Sequence, residues 1–423
     1  MQPSLKTWLT LTALFIALSG CSRQVIAATG NAQAQRTPSM NVMETTPFKW
    51  GLYMSHYNAD KGTTVLETHE RECWMKDAQG NIVMRWLGAG SNWDGGSGPM
   101  GGDAKLANLP RTLRLTYYDY LEDRFYQLNT ELPIAKLYAL FQLKTIDLDW
   151  AKGEITPRYE DFSIGIAPQG YVVLWLGGDH ANEKIEIGTY QAQVMQGYTA
   201  ERYNREVQPG FPIEMGANRQ AMMAAYMEPE TLEKLKQGWL PDNLYYKKQR
   251  TKYPWRFAMT GNAQMLEFKE RYGNQESTYV HPWQLAAYQS MGQMRGIPAS
   301  ARFIFNDRQG KRYKLFFKFS SANRVAGEAD LSSVWAAFKK MFPGRTPENS
   351  DDIPGNADMA TVEVNASDDL KTFTATLVKG DQRIPLPGRG TQLLPLEPWA
   401  NNYGGPTPPP GVIKRQQYGP DAD

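Results

Sequence analysis

A run of strand-like residues occurs twice along this chain, with the same features following in the same order. Leu109-Pro110 leads into RTLRLTYYD, ending at Asp119, and Ile297-Pro298 leads into ASARFIFND, ending at Asp307. Seven residues after each proline stands an aromatic, Tyr117 or Phe305, and the aspartate follows two later. Each run turns through charged residues into a second aromatic-rich strand, RFYQLNT or KRYKLFFKF. An amphipathic helix is expected next, over 132–143 (LPIAKLYALFQL) and again over 331–342 (LSSVWAAFKKMF), from the spacing of the apolar residues. A closing hairpin follows: FSIGIA at 162–167, a Pro-Gln-Gly turn, and YVVLWL at 171–176. Its counterpart pairs 360–364 with 372–378 across Ser-Asp-Asp, and the openings Phe48-Lys49-Trp50 and Tyr253-Pro254-Trp255 also agree. Several agreements in one order argue for tandem duplication.

The expected fold class is therefore α+β and β-rich, as two tandem related modules, each an antiparallel sheet with one packed helix. The first module is placed at 47–200 and the second, diverged one at 251–386, with a helical connector over 201–250. Within the connector, Met227-Glu228-Pro229-Glu230 reads as a helix start, and Gly238 as its stop. A second helix is expected over 217–226. Residues 387–423 hold PLEPW, GGPTPPPG and YGPDAD and read as a Pro/Gly-rich tail without a core of its own.

The N-terminus says where such a body is kept. Lys6 supplies a positive start, and TWLTLTALFIAL at 7–18 is an apolar run of twelve residues. A spanning helix needs about 20, so residues 1–20 read as a signal peptide. Leu18-Ser19-Gly20-Cys21 then resembles a bacterial lipobox, which makes Cys21 the lipidation site and its acyl chains the contact with the bilayer. Ser22 at the next position resembles the enterobacterial sorting pattern for the periplasmic, inner leaflet of the outer membrane. Residues 21–46, rich in Ala, Gln, Ser and Thr, suit a flexible tether. Cys73 is then the only other cysteine, in a strand or at its edge, and has no partner for an intrachain disulfide.

The usual chemical signatures are missing. Lys and Arg total 46 against 44 Asp and Glu, with no basic block, so nucleic acid is not an expected partner. The four histidines, His56, His69, His180 and His281, form no HExxH or His-x-His set, and no metal is expected. Neither a Gly-x-Ser-x-Gly elbow nor a P-loop occurs, so no catalytic residue or cofactor is assigned and the chain is not read as an enzyme. The adjacent acidic pairs Asp147/Asp149, Asp351/Asp352 and Asp368/Asp369 read as solvated turns. What remains is the glycine-rich loop Gly88–Asp103 (GAGSNWDGGSGPMGGD), where Trp93, with Tyr57, is the candidate anchor for a protein partner.

The stretch Ile164–Leu176, IGIAPQGYVVLWL, with Ile185-Glu186-Ile187-Gly188 and Gln191 downstream and the Leu109-Pro110 strand pair upstream, resembles a known pattern. It is similar to the uncharacterised proteobacterial lipoproteins grouped as domain of unknown function 2931. The resemblance covers about 47–200. In the second half Val364-Asn365-Ala366-Ser367 replaces the Ala-Pro-Gln-Gly turn, so only the layout carries over. That family has no established catalytic residues. Its genes often lie beside phospholipase effectors of type VI secretion systems, so the resemblance implies an immunity lipoprotein that binds such a secreted toxin in the periplasm. The alternatives are a structural or envelope-assembly lipoprotein and, third, an unrecognised enzyme.

Overall fold

The computed structural model describes residues 50–54, 57–58, 74–85, 105–119, 122–146, 155–157, 159, 161–178, 183–199, 202, 229–240, 243–290, 293–319, 324–325, 328–329, 331–347 and 359–396. The first half holds β1 (Trp50–Met54), β2 (Tyr57–Asn58), β3 (Trp74–Lys76), β4 (Ile82–Arg85), β5 (Lys105–Ala107), β6 (Thr112–Asp119) and β7 (Arg124–Glu131). Helix α1 (Ile134–Phe141) and the ribbon of β8 (Lys144–Ile146) and β9 (Ile155–Pro157) follow. The half then closes with β10 (Asp161–Ala167), β11 (Tyr171–Gly178), β12 (Glu183–Gln191) and β13 (Gln193–Val194). Two connector helices come next, α2 (Pro229–Lys236) and α3 (Leu244–Gln249).

The second half begins with β14 (Tyr253–Gly261), β15 (Gln264–Tyr272) and β16 (Ser277–Val280), followed by a 3-10 turn (Pro282–Gln284) and α4 (Leu285–Ser290). Then come β17 (Met294–Arg295), β18 (Pro298–Asn306), β19 (Arg312–Lys318), the ribbon of β20 (Arg324–Val325) and β21 (Glu328–Ala329), and α5 (Ser332–Met341). The last strands are β22 (Ala360–Ala366), β23 (Phe373–Lys379), β24 (Gln382–Leu386) and β25 (Arg389–Pro395).

Where they fall among the described residues, the expected strands and helices form close to their predicted bounds, and the molecule is β-rich. Their assembly differs from one antiparallel sheet per half. The first half makes two sheets, ordered β13-β7-β6-β3-β4 and β12-β11-β10-β1-β5, and the second makes β25-β19-β18-β15-β16 and β24-β23-β22-β14-β17. Each half also contains parallel pairing: β1 and β2 both run parallel to β10, and β14 runs parallel to β22. The physical reason is that both strand families carry an apolar face. One short helix cannot cover two such faces, so the sheets cover each other. In the first half Leu113, Leu115 and Tyr117 of one sheet share a core with Ile164, Ile166, Val172 and Leu174 of the other, and Leu137 and Phe141 of α1 join it. In the second half Phe303, Phe305 and Leu315 pack with Trp255, Phe257, Val362 and Leu377, closed by Val334 and Phe338 of α5.

The halves are not separate sheets end to end. Strand β12 pairs antiparallel with β16 at Lys184↔Ser277, so one eleven-stranded sheet runs across both halves, counting β2, which pairs with β10. Strand β25 also extends the second half into residues read from sequence as a tail, pairing with β19 from Tyr313↔Pro395 to Lys318↔Arg389. Its glycine and prolines suggested an end to regular structure, yet proline is tolerated on a strand that stands at the sheet edge.

The Pro-Gln-Gly turn shows why those residue types are needed. Gln169 and Gly170, its central pair, both take positive φ (61° and 73°), as the primed hairpin turns require. A Cβ at Gly170 would meet the Ala192 carbonyl at 2.6 Å, so the turn fits only glycine there.

Candidate functional site

Cys21, Trp93 and the loop Gly88–Asp103, together with Cys73, His56, His69, His180 and the pairs Asp147/Asp149 and Asp351/Asp352, lie outside the described residues, as does the helix expected over 217–226. Tyr57 has its backbone in β2, where it pairs with Gly165 of β10. His281 is buried and ties down the 3-10 turn: its backbone N–H donates to Gln284 Oε1 at 3.1 Å, and its ring meets that of Tyr279 edge-on. Asp369 accepts from Ser367 Oγ and the Lys371 N–H, while Asp368 pairs with Arg308, which makes them turn formers on the surface. Among the described residues no group of three or more His, Cys, Asp or Glu could hold a metal.

A buried polar cluster lies at the joint between the halves. The Trp175 indole donates to the Asn274 carbonyl at 3.1 Å, and the Glu186 N–H donates to Glu276 Oε1 at 3.0 Å. Arg250, just beyond α3, forks onto both oxygens of Glu186, and Lys252 pairs with Glu276 at 2.9 Å. Burial works to raise the Glu276 carboxyl, but Lys252, the Glu186 N–H and Asn274 outweigh it and hold it below the usual range. Burial likewise opposes the charge on Arg250, and Glu186 more than restores it. Chemically the arrangement cements: Arg250 of the connector meets Glu186, Lys252 meets Glu276 within the second half, and the Trp175–Asn274 and Glu186–Glu276 hydrogen bonds fix how the halves meet.

Two further carboxylates lie within the second half. Glu270 is fully buried, accepts from the Tyr272 hydroxyl and lies 3.3 Å from Arg295 Nε. Glu267 is 1% exposed, on the opposite face of β15. Burial pushes both up to about 8, against Arg295 in one case and against Tyr279, Arg302 and Arg312 in the other. A value near 8 suits proton transfer, but transfer also needs reach to a substrate, and neither group has a wet surface. A shallow hollow of about 330 Å³ is lined by Gly261, Gln264, Asn306, Asp307 and Arg308. There Asp307 Oδ1 is taken up by the N–H groups of Gln309 and Lys311, which shapes the β18–β19 turn.

The surface is more distinctive than these interiors. Five large apolar side chains among the described residues are exposed, and three of them, Trp239, Leu240 and Leu244, fall within six consecutive positions. Trp239 and Leu240 follow the end of α2, and Leu244 opens α3. Helix α2 ends in a Schellman turn: Gly238 has φ +83°, its N–H donates to the Leu235 carbonyl, and the Trp239 N–H donates to Lys234 at 3.0 Å. In that motif the residue after the glycine commonly folds onto an apolar one in the helix. Here the helix offers Lys234, and Trp239 stays 41% exposed. Helix α3 is meanwhile pinned by Tyr246, which packs with Tyr171, Val173 and Trp175 on the outer face of β11. Sequence reading passed over these residues because it sought anchors on the glycine-rich loop. The available signal was an apolar pair placed directly after a helix-stopping glycine and flanked by lysines.

Residues 28–231 match the model of the family described as a protein of unknown function (DUF2931). The match takes in β1 to β13 and ends within α2, a longer span than the hairpin motif alone marks out. No curated protein and no solved structure matches the chain.

Proposed function

From a chain whose residues 28–231 form a DUF2931 domain, we propose a lipoprotein held on the periplasmic face of the outer membrane through acylated Cys21, where it binds another protein. In the fuller form of this reading the partner is a secreted phospholipase toxin and the chain confers immunity to it. The observation that carries the anchor is Leu18-Ser19-Gly20-Cys21, placed directly after a short apolar run. The family match starts at residue 28, beyond the proposed leader. Among the described residues no helix is long and apolar enough to cross a membrane. Trp93 and Tyr57 are the proposed partner contacts. The chain acts by docking rather than turnover in this reading, with no catalytic residue assigned.

We also read the two halves as copies of one module. Strand for strand, β13-β7-β6-β3-β4 corresponds to β25-β19-β18-β15-β16, and β12-β11-β10-β1-β5 to β24-β23-β22-β14-β17. The parallel pairs β1–β10 and β14–β22 occupy the same place in each.

Two measurements test the proposal. Mass spectrometry of the mature N-terminus should find Cys21 first and acylated, and Cys21→Ala should release the chain from membranes. A strain lacking the gene should lose competitions against a sister strain that delivers the neighbouring phospholipase. Equal survival of mutant and parent refutes immunity and leaves the anchor standing; an unmodified Cys21 refutes the anchor.

A further inference from the structure

We infer that the outer face of β18 and β19, with the hollow at its end, binds a phosphoryl group. Side chains on these strands alternate between two faces, and Phe303, Phe305, Leu315 and Phe317 enter the core of the second half. Ile304, Asn306, Arg312 and Lys314 therefore share the other face. There Asn306 pairs with Arg312 and Gln264, and Ile304 with Lys314 and Glu267. The two strands carry Arg302, Arg312, Lys314 and Lys318 and no acidic residue. The fold does not demand these cations. At the matching places in the first half, counted from Pro110 and Pro298, stand the pairs Thr116↔Gln127 and Tyr118↔Phe125. In that half Gln127 donates to the Thr116 hydroxyl at 3.4 Å and no charge is used.

The polar groups of this face are incompletely met. Arg312 is partly exposed, yet its Nε and Nη1 are buried without a hydrogen-bond partner, as are Asn306 Oδ1 and Glu267 Oε2. Buried polar atoms left unmet are costly, so several on one face point to a ligand it is built to take. Turning the Asn306 amide over would offer N–H donors in place of the oxygen. Arg302, Arg312 and Lys314 all act on the charge of Glu267, the carboxylate beside Ile304. Burial holds that carboxyl up at about 8, so at neutral pH three cations surround a group that is mostly uncharged. Burial, with Arg302 nearby, in turn pushes the Lys314 ammonium down. An anion relieves this crowding, and a doubly charged one relieves more of it. Asn306 and Gln264 also line the hollow of about 330 Å³, which leaves room for a phosphoryl group beside Arg312. Of the other charges on its wall, Arg308 is paired with Asp368, and Asp307 Oδ1 is taken up by its own turn. Guanidinium and ammonium groups set side by side suit phosphate oxygens in geometry and in charge. The site is independent of the anchor at Cys21 and of the protein partner proposed above.

The test uses residues 21–423 carrying Cys21→Ser, which lacks any acyl chain and keeps every described element. Two probes are compared at one ionic strength: glycerol 3-phosphate by titration calorimetry, and phosphatidic acid vesicles by flotation, against phosphatidylcholine vesicles. Saturable binding of glycerol 3-phosphate, one per chain, assigns the phosphoryl group to a soluble ester. Binding confined to the phosphatidic acid vesicles assigns it to a lipid headgroup. In either case Arg312→Gln and Lys314→Gln should each weaken binding by about tenfold or more. Lys236→Gln, on α2, is the control and should bind like the parent. Without ligand, Arg312→Gln should melt no lower than the parent, because it only relieves crowding among cations. A lower melting temperature there would make Arg312 a structural partner of Glu267 and overturns the inference. So does the absence of binding to both probes, or binding that the two Gln variants leave unchanged.

Discussion

Glu267 shows how far an ordinary-looking residue can depart from its usual chemistry. It is one of two glutamates in QMLEFKERY, and the register of β15 places it beside Ile304 and near Arg302, Arg312 and Lys314. Burial outweighs the cations and raises its carboxyl to about 8, above the ordinary 4.5. The folded state therefore holds the proton more tightly than the unfolded state. Its contribution to stability is fully present below about pH 4.5 and is lost as pH rises through about 8. Glu267→Gln, which stays neutral, should flatten that fall: from pH 5 to 9 the variant should lose less melting temperature than its parent, and parallel curves would refute the assignment. None of this was readable from the sequence, since burial of a polar strand position depends on what covers that face. The repeated aspartates are the opposite case. Asp119 Oδ1 accepts the Glu122 N–H and Asp307 Oδ1 accepts those of Gln309 and Lys311, so the motif marks a turn after a strand, a local role that spacing alone exposes.

Among the elements, α1, α5 and α2 arise close to where periodicity and helix-end residues place them, and YVVLWL carries its own explanation. Strand β11 is buried along its whole length because it serves two cores. Val172, Leu174 and Leu176 face the sandwich, while Tyr171, Val173 and Trp175 face α3. A continuous apolar run is what a strand covered on both sides requires. The connector is what covers it, and its grip depends on Arg250. With Glu186 only 9% exposed, Arg250→Met would strand a buried carboxylate and should cost roughly 3 kcal/mol, more than a surface pair would. Removing both charges with Glu186→Gln/Arg250→Met should cost less than the single change. Denaturation of the four proteins in a double-mutant cycle measures this, and additive losses would show that the pair carries no coupling.

At the scale of the whole molecule, the edge strands decide where the body ends. Strand β25 lies against β19, and Leu393 on it packs on the second core. A chain ended after Leu396 keeps every described element and should melt with the parent. One ended after Pro387 uncovers β19 and should melt lower by more than about 5 °C, with greater aggregation; equal melting of the two would mean β25 contributes nothing. By itself the amino-acid sequence determined the kind and order of the elements, the turn chemistry and the resemblance confined to the first half. Those are properties of residues near one another in the chain, where periodicity, glycine and proline act directly. Tertiary structure decided that each half doubles into two sheets, that β12 meets β16 to join them, and that Trp239 is left outside. Each of those outcomes depends on which distant surface arrives to cover a given face, and covering is a property of the assembled body.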